Sequence, residues 1–156
     1  MTREELLATA EKLPRFSAVT AGEFAEKREQ LALEMNRIMG QRPDLVDLIG
    51  EGNHAMMEDN HRNHARFIVS LIQNFSPQVL VETVLWVFRA YRSHGFRLTY
   101  WPAQLDTWVE ILKRELSPGA YEEIYPLYHW MIIHQPAFVG LSDALIGEQA
   151  TPGHGA

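Results

Sequence analysis

Apolar residues return at three- and four-residue steps along nearly the whole chain, and strict alternation over a strand-length window is hard to find. This periodicity predicts an all-helical protein. Thr2 followed by Glu5 forms a capping box for a short first helix that Pro14 ends, and Thr20 with Glu23 forms a second box opening a helix to Met39, with Gly40 as its stop. Pro43 begins a short helix through Ile49, and Gly50-Glu51-Gly52 turns the chain into a long helix from about Asn53 to Phe75. Ser76-Pro77 starts the next helix, which runs to His94 and is closed by Gly95. Pro102 opens a helix carrying Leu105, Trp108, Val109, Leu112 and Leu116 as an apolar stripe, and the Ser-Pro device returns at Ser117-Pro118. Pro126 and Pro136 are expected to interrupt the last helical region, and Pro136 to kink it or divide it in two.

The chain has 156 residues, of which 46% are hydrophobic. That is the size of one domain with one core. The expected division is a domain over residues 1–147 and a short, polar, mobile tail over 148–156. A formal charge of −6, with its fourteen basic residues scattered, argues against nucleic acid or an anionic membrane as the main partner. The absence of cysteine removes disulfides, thiolate metal sites, iron–sulfur clusters and cysteine nucleophiles. Residues 1–12 lack the basic-then-apolar order of a signal peptide, and no apolar run reaches spanning length. A cytoplasmic protein is expected.

Candidate chemistry is sparse. His54, Glu58, His61 and His64 follow one another at four, three and three residues, which projects them along one side of a helix as a possible metal stripe. Glu58-x-x-His61 also has the spacing used by carboxylate-bridged iron bundles, but those need a second copy; Glu122 and Glu123 have no histidine three residues on. His129 and His134, five apart, share a face poorly. There is no nucleophile elbow, phosphate loop, dinucleotide fingerprint or His-Glu-x-x-His, so an enzyme reading lacks a carrier. Trp86, Phe88, Trp101, Trp108, Tyr121, Tyr125, Tyr128 and Trp130 crowd three successive helices, as core or as the wall of a cavity for a flat or long ligand.

From Gln73-Asn74-Phe75 through the helix ending at His94, the Gly95-Phe96 turn, Tyr100-Trp101-Pro102, and on to Met131, the order of helices, turns and aromatics resembles the second half of a globin. Tyr91 stands where a globin has its iron-binding histidine, with Gly95-Phe96 following at the family's spacing. The resemblance implies a globin-like fold of seven or eight helices, with Asn60, His61 and His64 on the distal side of the pocket. It implies a non-haem sensor that binds a small molecule or lipid in the former haem space and signals to a protein partner. Pairing of two copies through the last helices, on the Trp108 and Tyr121 to Trp130 surfaces, would make a homodimer. Two other readings stay open. One is a haem protein for a gaseous ligand, with iron on Tyr91 as phenolate or on His94 one turn away; a phenol of ordinary pKa near 10 needs a nearby cation for that, and helical geometry directs Arg89 and Arg92 elsewhere. The other is a metal-binding helical protein using His54, Glu58 and His61.

Overall fold

The computed structural model describes residues 1–150, with side chains through Ala144. Among the described residues there are eight helices and no strand: α1 Arg3–Glu11, α2 Ala18–Gly40, α3 Leu45–Ile49, α4 His54–Gln73, α5 Pro77–Ser93, α6 Tyr100–Glu115, α7 Pro118–Ile133 and α8 Gln135–Ala150. None of these helices is long and apolar enough to cross a membrane. α2 lies against α4, α6 and α7, while α5 packs on α1 and α8. Phe24, Leu31 and Met35 of α2, Met57 and Ile68 of α4, and Trp108 and Ile111 of α6 are fully buried between them.

The expected caps at Thr2, Ser76 and Ser117 form, each side chain accepting the backbone N–H three residues on. The second box is different. Ser17, not Thr20, caps α2, its hydroxyl accepting from Thr20 N. Glu23 does not bond back to its own helix start but crosses to the start of α7, accepting from Ser117 N and Oγ at 2.7 Å each. Glu123 of α7 returns the contact, accepting from Ser17 N at 2.7 Å and from Thr20 Oγ1 at 2.5 Å. Each carboxylate therefore sits at the positive end of the other's helix, and these contacts hold both carboxyls below their usual pKa.

The other departures have simple causes. α2 runs through Gly40 to a cap at Gln41, which keeps ordinary helical torsions, so Gly40 is not the left-handed stop that was expected. Pro126 lies inside α7 without ending it, whereas the chain does divide at His134, leaving Pro136 as the second residue of α8, where no intrahelical N–H is needed. α8 continues to Ala150, past the expected domain end at Gly147; the rest of the expected tail, 151–156, lies outside the described residues.

The end of α5 fixes the orientation of the helix that carries Tyr91. Gly95 adopts φ +100°, Phe96 N donates to Tyr91 O and Gly95 N to Arg92 O, both at 3.1 Å. This is a Schellman stop, completed by edge-to-face packing of Phe96 on Tyr91 with ring centroids 5.1 Å apart. Asn53 locks it from α4's side, its Nδ2 donating to His94 O and Ile49 O at 2.7 Å each. A Cβ at Gly95 meets nothing nearer than Asn53 Nδ2 at 3.7 Å, so alanine there is penalised by torsion and not by collision. Gly95→Ala is expected to cost about 1–2 kcal/mol, a drop in melting temperature of roughly 2–8 °C, and Gly95→Asn less, because asparagine tolerates the left-handed region. Equal melting temperatures for wild type and Gly95→Ala would sink this account of the stop.

Candidate functional site

α4, α5, α6, α7 and α8 enclose a cavity of about 280 Å³ that is partly open to solvent. The wall is mainly apolar: Phe67 of α4, Val84, Val87 and Phe88 of α5, Trp101 and Leu105 of α6, Met131 of α7 and Phe138 of α8. Phe88 and Trp101 are stacked at 4.8 Å with an interplanar angle of 21°, and Phe138 meets Phe88 edge-on at 5.3 Å. The exposed Trp86 and Asn63 stand at the rim. α5 supplies this wall because Thr83, Val84, Val87, Phe88 and Tyr91 recur at helical spacing on one face.

Polar groups gather where α4 meets α6. Asn60 and Gln104 are both buried and both line the cavity. Gln104 Nε2 reaches Asn60 Oδ1 only at 3.5 Å, the long limit of a hydrogen bond, and makes no other side-chain hydrogen bond among the described residues. Behind Asn60 lies a chain of buried contacts. Tyr100 donates to Asn60 Oδ1 at 2.8 Å and also faces His61 Nε2 at 3.2 Å, while His61 Nδ1 donates to Asn36 Oδ1 of α2 at 2.7 Å. With its Nδ1 proton given to Asn36, the neutral imidazole presents a lone pair to Tyr100, so one hydroxyl proton serves two acceptors. Burial raises the Tyr100 phenol well above its usual pKa and, with smaller repulsion from His64, Arg62 and His54, lowers His61 to about 3.

His64 sits at the cavity edge of the next turn. Its ring stacks on Trp108 at 4.6 Å and 23°, and its Nε2 pairs with the Tyr128 hydroxyl at 2.7 Å. Burial lowers its pKa as well, and it stays neutral near pH 7.

The residues singled out from sequence thus part company. Tyr91, Asn60 and His64 line the cavity; His61 is fully buried behind it; and His94, the C-cap of α5, is exposed and off the wall. His54 and Glu58 pair with each other at 3.6 Å on an outer stretch of α4. His61, with its ring nitrogens facing Asn36 and Tyr100, is not brought to them as a third ligand, and no group of three potential metal ligands converges among the described residues. Gln104 is a site residue that pattern reasoning missed. Its signal was available: it lies three residues after Trp101 and four before Trp108, a polar side chain on a buried stripe.

An iron-bound porphyrin does not fit these residues. His94 is outside the cavity, and His64 Nε2 is committed to Tyr128. Tyr91 is on the wall, but the guanidinium of the neighbouring Arg92 is engaged by Ser142 Oγ and the Asp143 carboxylate of α8. No lysine or arginine stands among the lining residues to hold the phenol as a phenolate.

The aromatic surface expected to pair two copies is largely interior. Trp108, Tyr128 and Trp130 are buried within one chain, Trp130 donating from Nε1 to Thr9 Oγ1 of α1 at 2.8 Å. What α7 leaves outside is a ladder of Tyr121, Tyr125 and His129, with centroid steps of 5.7 and 5.9 Å.

No protein-family model, curated protein or solved structure matches the chain.

Proposed function

We propose that this chain is a ligand-binding regulatory domain of globin-like topology that takes a small, mostly apolar molecule in the cavity between α4 and α8 and reports its occupancy to a protein partner. The observation that carries the proposal is the cavity itself, about 280 Å³ of mainly apolar wall with Asn60, Gln104, His64 and Tyr91 on it. Apolar pockets with a few convergent polar groups are where small molecules bind, and this one lies at the lower end of the usual size range of roughly 300–1,000 Å³. Among the described lining residues there is no serine, cysteine or lysine nucleophile, and the Tyr128 hydroxyl that His64 meets is buried off the wall, which favours binding over catalysis.

Reporting follows from the wall's composition. Five helices meet at the cavity, so a ligand that fits one arrangement of α5 and α8 better than another shifts their balance. The Tyr121, Tyr125 and His129 ladder is the surface on which a second copy of the chain would pair.

Mass spectrometry of small molecules released from the natively purified protein tests the reading. One bound species is expected, and it should be lost from Val84→Phe, which fills the cavity from α5 while leaving the melting temperature near that of wild type. Haem is not expected to bind: a sharp Soret band on haem addition, abolished by Tyr91→Phe, would replace this proposal with an iron-binding one.

A further inference from the structure

We infer that the cavity selects by charge, accepting an uncharged apolar molecule with a single hydroxyl, carbonyl or ester group and rejecting the carboxylate of the same size. This rests on the cavity being a ligand site and specifies its ligand. The polar groups on the wall belong to Asn60, Asn63, His64, Thr83, Tyr91 and Gln104, together with the unpaired, buried Nε1 of Trp101: amides, hydroxyls, one imidazole and an indole N–H, with no formal charge. The guanidinium next in sequence to Tyr91 does not make up the deficit. Arg92 is spent on Ser142 and Asp143 of α8. Residues 145–156, whose side chains lie beyond those described, contain no lysine or arginine.

A buried anion needs a cation or several strong donors to replace its water, and without them its transfer is prohibitive. This wall offers neutral donors but no cation, and one of its amide oxygens, Asn60 Oδ1, is an acceptor already taking the Tyr100 proton. Protonation of His64 could supply a charge, but its burial beside Trp108 and its pairing with Tyr128 keep it neutral near pH 7. The formal charge of −6 on the whole chain adds a long-range repulsion of the same sign. A neutral polar group meets the opposite situation. Gln104 has only a 3.5 Å contact, and Tyr91 makes no side-chain hydrogen bond among the described residues, so both keep unused capacity at the wall.

The test uses the intact chain with matched probes near neutral pH: 1-octanol, methyl octanoate and sodium octanoate, and in parallel 2-naphthol, methyl 2-naphthoate and sodium 2-naphthoate. Trp86 and Trp101 on the wall give a fluorescence signal, and calorimetry an independent one. In at least one series the alcohol and the ester should bind saturably, and the carboxylate more weakly by on the order of a hundredfold. Val84→Phe should remove the neutral probes' binding. A carboxylate that binds as tightly as its alcohol overturns charge selection while leaving a ligand site in place. Failure of every probe, or binding that Val84→Phe leaves intact, overturns the charge selection together with the cavity reading beneath it.

Discussion

Trp108→Ala is expected to destabilise the protein by about 3–5 kcal/mol, a fall in melting temperature on the order of 10 °C, and to weaken ligand binding with it. Trp108 is fully buried on α6 and is among the largest such side chains in the core. Its removal takes away the ring on which His64 stacks at 4.6 Å and the edge contact to His61 at 6.4 Å, so both imidazoles lose a wall at once. Trp108→Phe separates packing from polarity. The indole Nε1 is buried with no partner among the described residues, and phenylalanine abolishes that unpaired donor while keeping most of the apolar area. It should therefore cost less, about 1–2 kcal/mol. Urea unfolding of the two variants checks both figures, and a Trp108→Ala protein as stable as wild type would put the ring outside the core.

Much of the helical frame was legible because its determinants are local. Serine before proline at Ser76 and Ser117, the glycine at Gly95, and the three-and-four stripe from Leu105 to Leu116 each act within one or two turns. The second helix start shows where that ends. Ser17 and Thr20 are both good caps, and the choice between them is settled by Glu123, 106 residues from Ser17 along the chain. Glu23 had the right spacing for a local box and uses its carboxylate on Ser117 instead, 94 residues away. No window on the sequence contains both ends of either contact.

The candidate site divides in the same way. Spacing put Asn60, His61 and His64 on one helix, and Tyr91 on the helix facing it across the cavity. Successive residues of α4 are about 100° apart around its axis, so neighbours such as Asn60 and His61 cannot share a direction. Asn60 and His64, four apart, reach the wall; His61 turns toward Asn36 and Tyr100. His54, Glu58 and His61 obeyed the spacing of a metal stripe, yet spacing fixes only direction around the helix axis. Whether solvent or another helix lies in that direction depends on α2 and α6, whose placement is a tertiary fact. The aromatic cluster failed as a surface for the same reason: Trp108, Tyr128 and Trp130 have no periodicity that separates an interior from a partner.

Acid should destabilise this protein well before its carboxylates protonate. Burial holds the His61 pKa down to about 3 from 6.5, and burial also lowers that of His64. For a histidine with a depressed folded pKa, the unfolded chain takes up a proton at higher pH than the folded one does, so stability is lost as pH falls from the unfolded value, 6.5, toward the folded value, about 3. Each such group gives up about 1.4 kcal/mol per pH unit across that window. Between neutrality and about pH 5 His61 alone removes roughly 2 kcal/mol, and His64, with an edge toward the cavity, somewhat less, from a total that for a domain is about 5–15 kcal/mol. Glu23 and Glu123 lie below their ordinary value of 4.5, so the stability they contribute is lost only further into acid. The urea midpoint should therefore fall between about pH 7 and 5, and His64→Gln, which can still bond Tyr128, should flatten that slope by up to half. His61→Asn should act on the remainder. A midpoint unchanged across this range would mean that water reaches both imidazoles and that α2, α4 and α6 do not close over them.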